Sequence, residues 1–516
     1  MHATGSDKNY AIQGIYQRSV KDFSGVTFTA ALFAEVRGAA GSLVGAAGSL
    51  LGTGEFQDAV FEDAVFTSDV DFSGFTFRGD TSFSGARFEG EADFSTVRFR
   101  GRVSFAGAVF EKDCRFDGST FPYNGAAYAS GEPVPGARSA DFTRAVWRGR
   151  ASFEGIWAAQ DWELSRARFE ESLVGEGRCE GVLRLAGAVL KEDVRLTFDA
   201  GQLDLESAKF GGSLELRLSN ALVRLDHAEL GARASVIHHG GSPATPPDHP
   251  ANGSRPHKLP RLAGLRHVDA AQLMLIKVDL SNCRFADAHH LDLLVRTDCK
   301  YDDRRRWRRF LGVVPVRCVR RPVLADEGPG GPGPSAVAVL YRQLRKGMED
   351  GKNEPGAGGF YYGEMEMRRN RKADETTVTE RWLLHVYWLL SGYGLRAMRA
   401  LGWLLAAVVA TITLMMALGL PDAEPQQTVA GSLPTAGQVE LKVRVPDPEL
   451  TIPLNRRFTE KRANAALKVV LNSVVFRSSG QNLTPWGTYT EMVSRFTEPL
   501  LLALAALAVR GRVKRS

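Results

Sequence analysis

Cysteine is scarce in this 516-residue chain: five residues, at 114, 179, 283, 299 and 318, odd in number and without a CxxC pair. That argues against a disulfide framework and removes the usual zinc, haem and iron–sulfur spacings. A secretory leader is missing too. The first apolar stretch, "GAAGSLVGAAGSLLGTG" (38–54), starts late, is about half Gly and Ser, and has no basic segment ahead of it. It reads as part of an irregular cap over residues 1–54. Nowhere does the chain gather a nucleophile with a base, a metal cage or a phosphate cradle. No catalytic, cofactor-binding or metal residue is therefore named, and no cofactor is expected.

What the chain does have is phenylalanine at a peculiar spacing. From 56 to 121, Phe stands at 56, 61, 66, 72, 77, 83, 88, 94, 99, 105, 110, 116 and 121, in steps of five and six. Neither a helix of period 3.6 nor a flat strand of period 2 asks for that spacing. A chain that turns a corner every five residues does, with one large and one small residue (Ala59, Ala64, Ala86, Ala108) pointing inward. Four corners close a coil of about 20 residues, and coils stack at the strand spacing of about 4.8 Å. A second stretch agrees: "LRLAGAVL" (183–190), "LDLESAKF" (203–210) and "VRLDHAEL" (223–230) recur at a 20-residue offset, aligning Leu185, Leu205 and Leu225.

These residues resemble the pentapeptide-repeat family, over about 55–122, again at 141–169, through 183–237, and ending with "VDLSNCRF" (278–285). The resemblance implies an all-β right-handed quadrilateral β-helix. Steps of six depart from the family's strict five, so bulged coils are expected there. Within this frame Cys114 and Cys283 take small, buried structural slots. The glycines of "GEGRCEG" (175–181) mark a turn between coils, because "VLRLAGAVL" after them continues the repeat and offers no helix to a pyrophosphate. His238, His239, His249 and His257 fall in or beside a Pro/Gly-rich flexible insertion (238–262), and His289 and His290 in a last coil and cap (263–300).

After the solenoid the chemistry changes. "RRRWRRFLGVVPVRCVRR" (304–321) holds eight Arg and no acid, then "GPGGPGP" (328–334) breaks the chain, giving a basic stretch and linker over 301–334. Ser335 is positioned to cap a helix through "AVAVLYRQLRKGMED", and a Gly-rich turn leads to a second, antiparallel one, "FYYGEMEMRRNRKADETTVTERWLLHVYWLL". Residues 382–395, rich in Trp and Tyr, suit an interfacial helix that closes a segment over 335–395. "LGWLLAAVVATITLMMALGL" (401–420) is 20 residues without a charge, about 30 Å of helix and one bilayer core. Arg396 and Arg399 precede it, while 421–438 contain no Lys or Arg, which puts its N-terminal side in the cytoplasm. A second span over about 492–509 returns the basic tail "RGRVKRS" inward. Membrane domain 396–516 then makes the protein integral to a plasma membrane, with the solenoid and both termini cytoplasmic.

This join of elements also resembles a group of bacterial membrane-attached pentapeptide-repeat proteins that often carry the label membrane-associated oxidoreductase. The resemblance implies an α-helical membrane domain after the β-helix. The expected function is a membrane-anchored scaffold whose partners are the lipid bilayer and an unknown protein along the solenoid faces. A homo-oligomer is compatible with it; nucleic acid is not expected as a partner. A DNA mimic would need a continuously acidic solenoid, yet 55–117 holds 13 acids against 7 bases. The alternatives are the oxidoreductase of the label and a degenerate two-span channel-like protein. For the latter, 464–496 lies between the spans as an amphipathic stretch and a Gly/Pro/Trp turn, but "RSSGQNLTPWG" stands where a carbonyl filter would.

Overall fold

The structure is a computed structural model of the chain. It describes residues 21–42, 55–56, 58–121, 138–241, 258–302, 307–310, 314–317, 321–371, 377–421, 428–430, 442–444, 450, 452–476 and 483–513. Two compact units result, Met1–Lys352 with Gly359–Glu364, and Asn353–Gly358 with Met365–Ser516.

The first unit is a parallel β-solenoid. Each corner of the ladder supplies a two-residue strand, and strands of successive coils pair in register: Val70↔Ala92↔Cys114 on one side, Arg87↔Val109↔Val146 on another. One column is nine strands deep among the described residues. Phe61 stacks on Phe83, Phe83 on Phe105 and Phe105 on Phe142, with centroids 4.8, 4.8 and 4.9 Å apart and rings within 6° of parallel. Across the coil the contact is edge to face, as for Phe94 and Phe105 at 5.3 Å and 85°. Both geometries suit the ring quadrupole and contribute about 0.5–1.5 kcal/mol per pair beyond burial.

Coil length differs from the expected 20. In the Phe-rich part the register steps are 22 residues (Val65↔Arg87, Arg87↔Val109), and they shorten to 20 at Val189↔Lys209 and Lys209↔Glu229. The six-residue steps are regular corners and not bulges. There the backbones of stacked coils touch: a Cβ on Gly101 would lie 2.3 Å from the backbone of Gly79 in the coil below. Aspartates fasten these corners. Asp58 Oδ1 accepts from Asp80 N (3.0 Å), and Asp80 Oδ1 in turn from Arg102 N (2.8 Å). The five-residue corners are tight turns in which Ala86 N donates to Phe83 O at 3.1 Å and Gly85 takes φ +70°.

Both ends of the solenoid are covered. The first strands, Lys21–Asp22 and Thr27–Phe28, precede the Phe ladder read from sequence and pair with Ala59–Val60 and Val65–Phe66, so the cap assigned to 1–54 contains coil. Helix α1 (Ala30–Ser42) follows, with Phe33 edge-on to Phe72 at 4.9 Å and Arg37 Nη1 donating to Asp71 at 2.5 Å. Residues 43–54 lie outside the described residues. At the far end Asp326 accepts from Phe285 N (2.9 Å) and Ala286 N (3.1 Å), replacing the carbonyls a further coil would have offered.

Helices α2 (Pro334–Asp350) and α3 (Glu354–Arg369) follow. Gly333, not Ser335, holds the cap position of α2: Pro334 fits the first turn, where its missing N–H costs nothing. The Gly-rich segment expected as a turn is the start of α3, capped by Asn353. Its glycines serve packing, since a Cβ on Gly363 would meet the Tyr341 ring at 2.4 Å.

The second unit is helical: α4 (Val378–Ser391), α5 (Ala397–Leu414, continued by a π-type turn to Gly419), α6 (Glu460–Phe476) and α7 (Pro485–Val513). Two stretches are long and apolar enough to cross a membrane, Ala397–Gly419 (23 residues) and Pro485–Val509 (25 residues). The second starts before the 492 read from sequence, because Trp486 and Gly487 belong to the first turn of α7 and not to a preceding turn.

Phe105, fully buried at the centre of the ladder, tests this core. Phe105→Ala is expected to cost about 3–5 kcal/mol, read as a lowered denaturation midpoint of the full chain in detergent. Two glycines separate close approach from turn geometry. Gly107 has φ +68° and open space beyond it, so Gly107→Ala costs about 1–2 kcal/mol in backbone strain. Gly101→Ala, which collides with backbone, must cost more; the reverse order would contradict the stacking.

Candidate functional site

In the second unit the sequence places polar side chains on one face of α7, the face turned to its neighbours. Thr484, Gly487, Glu491, Ser494, Glu498, Leu501, Ala505 and Ala508 recur at steps of three and four, all buried. Glu498 is fully buried, and its Oε1 accepts from Thr411 Oγ1 of α5 at 2.9 Å. One turn away, Arg495 Nη2 donates to Glu491 Oε1 at 2.8 Å. Where α5 ends against α7, two glycines meet: a Cβ on Gly487 would lie 2.4 Å from Gly419 O.

The carbonyls left over at the end of α5 are all taken. Arg457 Nη1 donates to Ala417 O (2.6 Å), Arg462 Nη2 to Leu420 O (2.7 Å), and Thr484 N to Gly419 O (3.0 Å). Helix α6 packs here through Ala466 and Val469 on Met415, Met416 and Leu420. At the opposite end of α5, Arg399 donates to Trp388 O at 2.8 Å and lies over the Trp388 ring, with Arg369 also over that ring at 4.5 Å. Trp382 and Leu383 of α4 face outward, as an interfacial helix would present them.

The solenoid carries a groove of about 720 Å³ with Asp141, Thr143, Arg144, Glu163, Ser165 and Arg166 on its walls. Arg144 (φ 60°) and Arg166 (φ 58°) occupy the left-handed turn position that Gly85 and Gly107 hold in other coils. The Thr143 hydroxyl beside them donates to Asp141 at 2.5 Å, and Ser165 N donates to Glu163 at 3.2 Å, so both carboxylates close turns of their own coil. Elsewhere the surface charges pair from coil to coil, as in Arg148–Glu111 (2.7 Å), Lys191–Glu170 (3.2 Å) and Lys209–Glu229 (2.7 Å). Among the described residues no group of three or more His, Cys, Asp or Glu is placed to hold a metal ion.

Comparison with known families gives one match: residues 72–120 fit the description "Pentapeptide repeats (9 copies)". The solenoid is built of pentapeptide repeats. No curated protein and no solved structure matches the chain.

Within the pentapeptide repeats the sequence-singled residues fall as follows. "GEGRCEG" lies inside the strand Leu173–Arg184, where a Cβ on Gly177 would sit 2.2 Å from Ile156 O. No helix N-terminus follows it. Cys114 is in register between Ala92 and Ala151, fully buried, and burial pushes its thiol well up. Cys283 is buried likewise, and burial takes Cys179 up to about 12. His290 Nδ1 bonds Asp269 at 2.8 Å on an exposed edge. His249, His257 and Cys318 lie outside the described residues. So do 304–306, 311–313 and 318–320 of the Arg run, of which Trp307–Phe310 and Val314–Arg317 form an antiparallel ribbon. Two features were missed from sequence: the His227–His267 ring stack at 4.6 Å and the Thr411–Glu498 bond. The first needed coil register across an insertion; the second needed the pairing of two distant helices.

Thiol chemistry follows from these shifts. A thiol raised to about 12 carries almost no thiolate at pH 8, and burial also bars the reagent. Among Cys114, Cys179, Cys283 and Cys299, a maleimide at pH 8 is expected to label only Cys299 in the folded chain, and all four in denaturant. Labelling of Cys179 in the native state, located by mass spectrometry, would contradict this.

Proposed function

We propose that the protein is a membrane-anchored scaffold, its pentapeptide-repeat solenoid held at the cytoplasmic face of a bacterial plasma membrane by α5 and α7. One observation carries the anchor: only 17% and 28% of the two apolar windows is buried inside the structure. A core helix of a water-soluble protein would hide that surface; here Leu405, Val409, Phe496, Leu500 and Leu507 face outward. Trp486 and Tyr489 at one end, and Trp382 with Trp403 at the other, supply the aromatic residues of two interfaces. Arg396 at the N-cap of α5, Arg399 in its first turn, and Arg510 and Arg512 at the end of α7 support the inward orientation of both termini.

The scaffold role rests on the solenoid surface. Its side chains are consumed in inter-coil pairs and turn closures, which leaves extended flat sides and a groove for a protein partner rather than a reaction centre. The oxidoreductase alternative has no redox constellation among the described residues to support it. For the channel-like alternative, α6 and α7 do pack with α5, but of the segment in the filter position (477–487) residues 477–482 lie outside the described residues and 485–487 belong to the first turn of α7.

The test is topology. In full chains carrying Cys299→Ser and Cys318→Ser, add Ser432→Cys or Ser516→Cys and apply an impermeant maleimide to intact cells. Position 432 is expected to label from outside and 516 only after the cells are broken, with the chain resisting alkaline carbonate extraction. Release by carbonate, or equal labelling of both positions, would remove the two-span anchor.

A further inference from the structure

Helix α7 carries Glu491, Arg495 and Glu498 within about two turns, in the middle of its apolar length (Pro485–Val509). Arg495 stands about 15 Å in from Pro485 at about 1.5 Å per residue. On the membrane reading, on which this inference rests, that is near the bilayer midplane. Two of the three are shielded: Glu498 is fully buried beside Thr411, and the Glu491 side chain is 8% exposed. Arg495 is not, with a side chain 31% exposed. One of its five N–H groups reaches Glu491, and its Nε is buried without a hydrogen-bond partner. A guanidinium open to hydrocarbon at that depth is costly, and charged side chains in spans face protein or water instead. Met492 (50% exposed) and Leu502 (47%) lie on the same strip of α7, three residues before and seven after Arg495.

We propose that a second copy of this chain covers the Met492–Arg495–Leu502 strip, with α7 packed beside α7. A twofold axis along the membrane normal sets identical residues at identical depth. Each Arg495 then reaches the partner's Glu491, one turn or about 6 Å away along the axis. The two Glu491–Arg495 pairs close into a neutral ring of four charges. An unrelated membrane protein would have to bring an anion to that depth; a second copy brings one by construction.

Oxidative cross-linking of full-length protein in native membranes tests this, in the Cys299→Ser, Cys318→Ser background. Met492→Cys and Leu502→Cys are expected to give disulfide-linked dimers, while Val493→Cys and Leu500→Cys, on the far side of the helix, are not. Adding Arg495→Leu should cut the Met492→Cys dimer on the order of tenfold, and Arg495→Lys should restore most of it. No dimer at 492 or 502, equal dimer at all four positions, or no response to Arg495→Leu overturns the proposal while carbonate resistance leaves the anchor standing. Extraction by carbonate removes the anchor, and the proposal with it.

Discussion

Parallel backbones stack at about 4.8 Å, and benzene rings held in register must stack at the same interval. The aromatic columns obey: centroid distances along Phe66, Phe88 and Phe110 are 4.7 and 4.8 Å. Everything else in the solenoid follows from this coincidence of two spacings. Four large side chains per coil fill the interior, each contributing roughly 1.5–3 kcal/mol by burial, so the places between them go mostly to small residues such as Ala86, Ala108 and Cys114, although Phe75 is enclosed there too. The corners must bring backbones into contact, which selects Gly101 and the Asp58–Asp80 chain of hydrogen bonds.

That regularity is why the solenoid could be read from sequence. A column of Phe or Leu is one local rule repeated, and the rule is visible as a spacing. What the spacing hides is anything that happens once. The coil at 21–28 escaped because α1 and the chain after it separate Phe28 from its stacking partner Phe66. The extra residue per half-coil suggested bulges, whereas the structure absorbs it in a Gly–Asp corner. In the helical unit the apolar runs announced α5 and α7, but hydropathy is blind to which polar residues meet. Thr411 and Glu498 are 87 positions apart. Gly359 likewise looked like turn chemistry, yet it lies within α3, and a Cβ on it would meet the Pro322 ring at 2.8 Å.

The two units manage polar groups in opposite ways. On the solenoid, charge is spread over an aqueous surface in exposed pairs such as Lys209–Glu229, each of small energetic weight. In the helical unit a few polar side chains are concentrated where apolar surface surrounds them, and each satisfies a backbone or side-chain partner that water cannot reach. Arg457 and Arg462 on the end of α5 are of this kind. That division in the treatment of charge agrees with the anchor proposed above.

Two long stretches of sequence, 122–137 and 242–257, precede strands of the same column. After each of them the chain takes up that column in register, Ala140 pairing with Val103 and Leu262 with Val223. The solenoid therefore has something like a reading frame. Length is added at that one corner while every stacked ring keeps its place, and the 22-residue coils show that other corners absorb single residues. A residue gained inside a strand would instead shift the frame there, turning an inward side chain toward water. Variation in such a protein is quantised by its architecture, and novelty has one door through which to enter.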